Sequence, residues 1–183
     1  MTRIFAAALA GALLVVNAAQ AHGPVRLRTE HSVVLNATPA EVWEAIGKFD
    51  DMSWHPAVAS TEITGDGSVD VPEVSTRVLH LKADSGDPTI TEKLIAHDAE
   101  KHSYKYMIEA VDVAVLPVTN YSSTLQVKDK DGKAEVVWKA GFYRGYPNND
   151  PPPDLNDETA EAAVNAIYQA GMDALTERFG KAE

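Results

Sequence analysis

The sequence has no cysteine. Disulfides and thiolate metal or haem sites are therefore excluded, and stability has to come from packing and hydrogen bonds. It also lacks a Cys-x-x-Cys-His haem site, a glycine-rich dinucleotide fingerprint and a Gly-x-Ser-x-Gly elbow. No redox cofactor is expected, and no nucleophilic triad can be assembled from so common a set as serine, histidine and aspartate. Basic residues are scarce, with 16 Lys+Arg against 27 Asp+Glu and a formal net charge of −11. So acidic a surface repels phosphate backbones and argues against nucleic acid as a partner. A basic protein surface would instead gain encounter rate through an attraction that salt weakens.

Long apolar runs are missing except at the start. Thr2 and Arg3 give a short basic lead, Ile4 to Val16 an apolar run and Ala19-Gln20-Ala21 a small-x-small site, which together read as a secretory signal cleaved after Ala21. The run falls short of the roughly 20 residues of a spanning helix, so no membrane anchor is expected after cleavage. The expectation is a periplasmic protein in which residues 22–183 form one domain. Cleavage would leave His22 with a free amine and ring, a half-site for copper. No second histidine is placed to complete it, so no metal is expected.

Leu27 to Leu35 reads as a first strand. Thr38 and Pro39 then supply the N-cap and first position of a helix whose apolar side holds Val42, Trp43 and Ile46, stopped at Gly47. Asp50 to Pro56 follows as a short turn or second helix. From Ala57 to Tyr143 the pattern has period two, broken by turn clusters at Gly65-Asp66-Gly67, Ser85-Gly86-Asp87 and Asp131-Gly132. An Asp131-Gly132 turn would pair Lys130 with Lys133, Val127 with Val136, Leu125 with Trp138, Ser123 with Ala140 and Tyr121 with Phe142, all bulky apolar groups on one face. The small pair Ser123 and Ala140 leaves either a cavity or room for a side chain from a helix. A turn at Gly86-Asp87 would set His80 near Lys93 and away from His97. At the C-terminus, Ala160, Ala163, Val164, Ile167, Tyr168, Gly171, Met172, Leu175 and Phe179 form one helical stripe, capped by Asn156 or Asp157. An antiparallel sheet with one apolar face closes most simply around this long helix, giving an α+β fold.

This order of elements resembles the helix-grip fold of the birch-pollen-allergen, START and polyketide-cyclase superfamily (SRPBCC): a curved antiparallel sheet around a C-terminal helix, with two short helices after the first strand. Thr38 to Trp43 resembles the opening of its first helix, and Trp54-His55-Pro56 the turn that follows. Two longer segments, Leu116 to Ser123 and Phe142 to Pro153, resemble the MxaD group of exported accessory proteins of bacterial methanol oxidation. That resemblance implies a periplasmic, non-catalytic role in helping methanol dehydrogenase pass electrons to its cytochrome c acceptor, with no catalytic residue and no cofactor.

Within this frame, Tyr143, Arg144, Tyr146, Asn148, Asn149 and Asp150 are expected to project as a partner-binding loop, stiffened by Pro151-Pro152-Pro153. The alternative role of the domain is to hold a small hydrophobic ligand. The lining or mouth of such a cavity is expected from Trp54, His55, Glu92, Tyr121, Ser123, Leu125, Trp138, Ala140, Phe142, Tyr168 and Met172. Trp54 and His55 either gate the mouth or pack over the barrel end with His55 hydrogen-bonded to backbone, and the second is expected. Glu92 shares a strand face with Ile90 and Leu94. It is expected as an exposed charge, the alternative being a carboxylate inside the cavity.

Overall fold

A computed structural model describes residues 23–65 and 67–182. The expected signal peptide and His22 lie outside the described residues. The elements are β1 (Leu27–Leu35), α1 (Pro39–Ile46), β2 (Val58–Thr64), β3 (Thr76–Leu81), β4 (Thr89–Asp98), β5 (Ser103–Val111), β6 (Val118–Lys130), β7 (Lys133–Arg144) and α2 (Asp157–Phe179), with a 3-10 turn at Pro153–Leu155 before α2. The seven strands form one antiparallel sheet in the order β1-β7-β6-β5-β4-β3-β2. Register shifts in the β2–β3, β4–β5 and β6–β7 pairings bend it, since each bulge adds local twist. The concave face grips α2, which packs chiefly on β1 and β7. This is the helix-grip fold. Among the described residues no helix is long and apolar enough to cross a membrane.

Local chemistry explains the elements. Thr38 and Glu41 form a reciprocal capping box at the start of α1, and the Gly47 N–H closes its end on the Trp43 carbonyl. Asn156 caps α2, and its buried stripe is Ala160, Val164, Tyr168, Gly171, Met172 and Leu175. Gly180, at φ 74°, turns the chain so that Ala182 donates to the Val34 carbonyl on the free edge of β1.

Three expectations need correction. Asp50 to Pro56 is a series of turns rather than a second helix. The Asp51 carboxylate takes the Ser53 N–H, and Pro56 disfavours helical geometry at His55. The β6–β7 register holds from Lys130↔Lys133 to Ser123↔Ala140, but a bulge between Thr119 and Ser122 sets Asn120 and Tyr121 together against Phe142. Asn120, at φ 47°, is the residue that absorbs it. In the β3–β4 hairpin His80 faces Thr89, not Lys93. Pro88 has no N–H to close a two-residue turn at Gly86-Asp87, so the chain takes a longer loop and the Leu81 N–H bonds to the Pro88 carbonyl instead.

Candidate functional site

Where α2 does not cover the sheet, the concave face of β3, β4 and β5 encloses a cavity of about 210 Å³. Its wall is mostly apolar, with Leu79, Ile90, Ile108 and Leu116, closed on one side by the turn segment from Met52 to Val58 and by Ile167 of α2. The alternation of β3 and β4 places Leu79 and Ile90 inward by the same rule that sends their sequence neighbours out. Four polar groups share the wall: His55, Glu92, Tyr106 and Tyr121.

Glu92 is buried rather than exposed, at 5% accessibility. Its partner is Arg77, directly opposite on β3 and completely buried. Arg77 Nε donates to Glu92 Oε2 at 2.7 Å, and Nη2 reaches the same oxygen at 2.7 Å. Nη1 donates to the Phe49 carbonyl at 2.8 Å, and the guanidinium lies 4.2 Å from the centre of the Phe49 ring. Burial pushes the Glu92 carboxyl up and the Arg77 charge pulls it back, while Arg77 is held above its ordinary value by the Glu92 charge against its own desolvation. The two side chains form a buried salt bridge.

The remaining polar groups satisfy one another. The Trp138 indole N–H donates to Tyr106 Oη at 3.1 Å and Ser123 Oγ at 3.0 Å. Ser123 Oγ donates to the Lys139 carbonyl at 3.1 Å, so the Tyr168 hydroxyl 2.7 Å away donates to Ser123. Tyr121 Oη, 2.7 Å from Tyr168 Oη, then donates to Tyr168. Burial pushes Tyr106, Tyr121 and Tyr168 well above the ordinary phenol value, so all three stay protonated. His55 accepts the Ala57 N–H on Nδ1 at 3.2 Å and donates from Nε2 to the Ile167 carbonyl at 3.0 Å. Burial holds its imidazole below the ordinary 6.5.

Of the two outcomes open for the small pair Ser123 and Ala140, the structure takes the helix side chain, and the cavity lies elsewhere. Tyr168 fills that gap, stacked on Trp138 at 4.1 Å with its hydroxyl on Ser123. Of the residues expected to line a cavity, His55, Glu92, Tyr121 and Trp138 do so. Ser123, Leu125, Ala140, Phe142, Tyr168 and Met172 are packed core instead. Trp54 is buried against Trp138 and His55 and does not line the cavity. Arg77 and Leu79 are absent from the residues expected from sequence, although an arginine in phase with Leu79 and Leu81 on one strand is a legible signal, and Leu116 stands there only as the start of a motif.

The partner loop also needs a correction. Arg144 does not project; it is 6% exposed and clamps its own loop. Its Nε donates to the Tyr146 carbonyl at 2.9 Å, Nη2 to the Asn148 carbonyl at 2.8 Å and Nη1 to the Asp157 carboxylate at 3.2 Å. Tyr143 is half-buried beneath the Arg26 guanidinium, 5.6 Å from its ring centre, and Tyr146 is half-buried too. Asn148, Asn149 and Asp150 are exposed. Val118 pairs with Arg144 and Thr119 with Tyr143, so the segments Leu116–Ser123 and Phe142–Pro153 meet at one corner of the sheet.

Among the described residues no group of three or more His, Asp or Glu is placed to hold a metal. His80 sits on Asp87, His97 on the Gly47 carbonyl and His31 on Asn165.

A curved sheet gripping a terminal helix, with a cavity left between them, defines a helix-grip domain. The chain belongs to the family described as polyketide cyclase / dehydrase and lipid transport, whose pattern spans residues 26–180. Among solved structures it is similar to XoxI from Bacillus cereus, 31% identical over 83% of this chain and 94% of that one, with a TM-score of 0.66. An uncharacterised protein from Bacillus thuringiensis is 29% identical over 84% and 98%, with a TM-score of 0.67. The Zhui aromatase/cyclase from Streptomyces sp. R1128 is 20% identical over 84% and 93%, with a TM-score of 0.65, a likeness of fold alone. No curated protein matches the chain.

Proposed function

We propose that this chain is an exported, non-catalytic binding protein that holds a small apolar molecule between its sheet and α2. The observation that carries this reading is the apolar cavity of about 210 Å³ over β3, β4 and β5. It is smaller than the roughly 300 Å³ at which drug-sized ligands are ordinarily held, which fits a single ring or a short branched chain. Catalysis is disfavoured because the groups that could move a proton are engaged with one another. His55 has both nitrogens on backbone, Glu92 is tied to Arg77, and the tyrosines are kept neutral. Native mass spectrometry of protein purified from its source should show an added mass of a small molecule, or calorimetry should show uptake of toluene. An unadorned mass together with no toluene binding would refute the reading.

A second reading, accessory to methanol oxidation, is favoured by the corner at which Leu116–Ser123 and Phe142–Pro153 meet. Both segments that resemble the MxaD group contribute to this one surface, and Arg144 holds Asn148 to Asp150 outward from it. In this reading the corner touches methanol dehydrogenase or its cytochrome c acceptor in the periplasm. Because Arg144 is internal to the loop, the informative variant is N148A/N149A/D150A. It should fold normally and lose stimulation of electron transfer in a reconstituted assay; unchanged stimulation would remove the contact.

A further inference from the structure

The cavity's polar groups can be counted as donors and acceptors. The Trp138 N–H and the Ser123, Tyr121 and Tyr168 hydroxyls each have an acceptor, and Tyr106 accepts from Trp138. The His55 N–H is spent on Ile167, and Arg77 gives Nε and Nη2 to Glu92 and Nη1 to Phe49. Among the described residues that line the cavity, Tyr106 O–H is the one side-chain donor without a hydrogen-bonded acceptor. One strong acceptor remains, because both Arg77 nitrogens take the same oxygen of Glu92, Oε2. Among the described residues no hydrogen bond falls on Oε1. That atom is not sealed in the core either, since the only sealed side-chain polar atom without a partner among those residues is Trp54 Nε1. Glu92 lines the cavity, so Oε1 opens into it.

We propose that the cavity prefers small apolar molecules bearing one hydroxyl, which donates to Glu92 Oε1, over those with no proton to give it. This rests on the binding reading above and adds its chemical class. A hydroxyl replaces the hydrogen bond that water would have offered the oxygen, and a charged acceptor makes that bond stronger than a neutral one. A carboxylate or an ether has no proton to give Oε1 and could only accept. An ammonium gains little, because Glu92 is already paired with Arg77 while the cation must still shed its water.

The test is a calorimetric series on the full protein with toluene, phenol, anisole and benzoate. Phenol should bind about tenfold more tightly than toluene, reversing the order that apolar transfer alone would give, with anisole and benzoate both weaker than phenol. In R77M/E92L, which removes the ion pair as a unit, toluene should become the tighter ligand. Equal or tighter binding of toluene to the unaltered protein would overturn the hydroxyl preference while leaving the cavity reading intact. Failure of every member of the series to bind would overturn both. The order among ligands in the unaltered protein is decisive even where the double variant does not fold.

Discussion

Along β1, β7 and the middle of β6 the concave face is covered by α2 and packed solid, whereas along β3, β4 and the far end of β5 it is roofed only by turns and keeps a cavity. In the first region Tyr168 closes the gap over Ser123 and stacks on Trp138, so helix and sheet behave as one packed core. In the second, the helix contributes little beyond Ile167, and the space beneath the turns is held by a buried ion pair instead of by apolar bulk. The difference teaches where a grip fold places function. The gripped half supplies rigidity, and the ungripped half can afford a cavity and a buried charge.

The comparison breaks hardest at Arg77. Replacing it alone with methionine strands the Glu92 carboxylate in the core and should cost about 3–5 kcal/mol in denaturant unfolding, whereas R77M/E92L should recover most of that loss. Equal stability of single and double variants would mean that the pair is not buried as a unit.

Next in size is a test of filling. A Cβ at Gly171 would lie 2.8 Å from the Trp138 ring and 3.0 Å from His55, so Gly171→Ala should destabilise the gripped half by about 1–3 kcal/mol despite alanine's better helix propensity. Ile90→Phe, which adds bulk on the cavity side, should change stability by less than about 1 kcal/mol. A similar cost for both would erase the distinction between the halves.

Tyr168→Phe should cost about 1–2 kcal/mol, because it breaks the hydroxyl chain between Tyr121 and Ser123 while keeping the ring on Trp138. Smaller still is the pH effect at the boundary between the halves. Burial lowers the His55 pKa in the folded chain, so below about pH 6.5 the unfolded state takes a proton that the folded state refuses, and stability should fall with pH. His80, raised by its hydrogen bond to Asp87, has the opposite sign: its contribution is present below 6.5 and is lost as pH rises through its folded value. An NMR titration should therefore find His55 below 6.5 and His80 above it; the reverse order would contradict these placements.

The gripped half was largely legible in the sequence. The bounds of β1, the Thr38 cap, the α2 stripe and the β6–β7 register down to Ser123↔Ala140 all follow from period, caps and one Asp-Gly turn. The ungripped half was not, because it depends on the β3–β4 register. A turn at Gly86-Asp87 would set Glu92 across from Leu81, and only the longer loop forced by Pro88 brings Arg77 opposite it. Such a slip preserves which face each residue takes but hides its partner, so a buried pair reads as a stray surface charge. Arg144 was misread for a related reason. Arginine beside tyrosine in a long loop suggests a contact surface, yet three acceptors from the same loop and the first turn of α2 converge on it.

The most direct test is a toluene titration followed through isoleucine and leucine methyl resonances. Shifts should be confined to Leu79, Leu81, Ile90, Ile108, Leu116 and Ile167, with Leu125 and Leu175 in the gripped half unmoved. Shifts spread evenly over both sets, or no shifts at saturating toluene, would contradict the account.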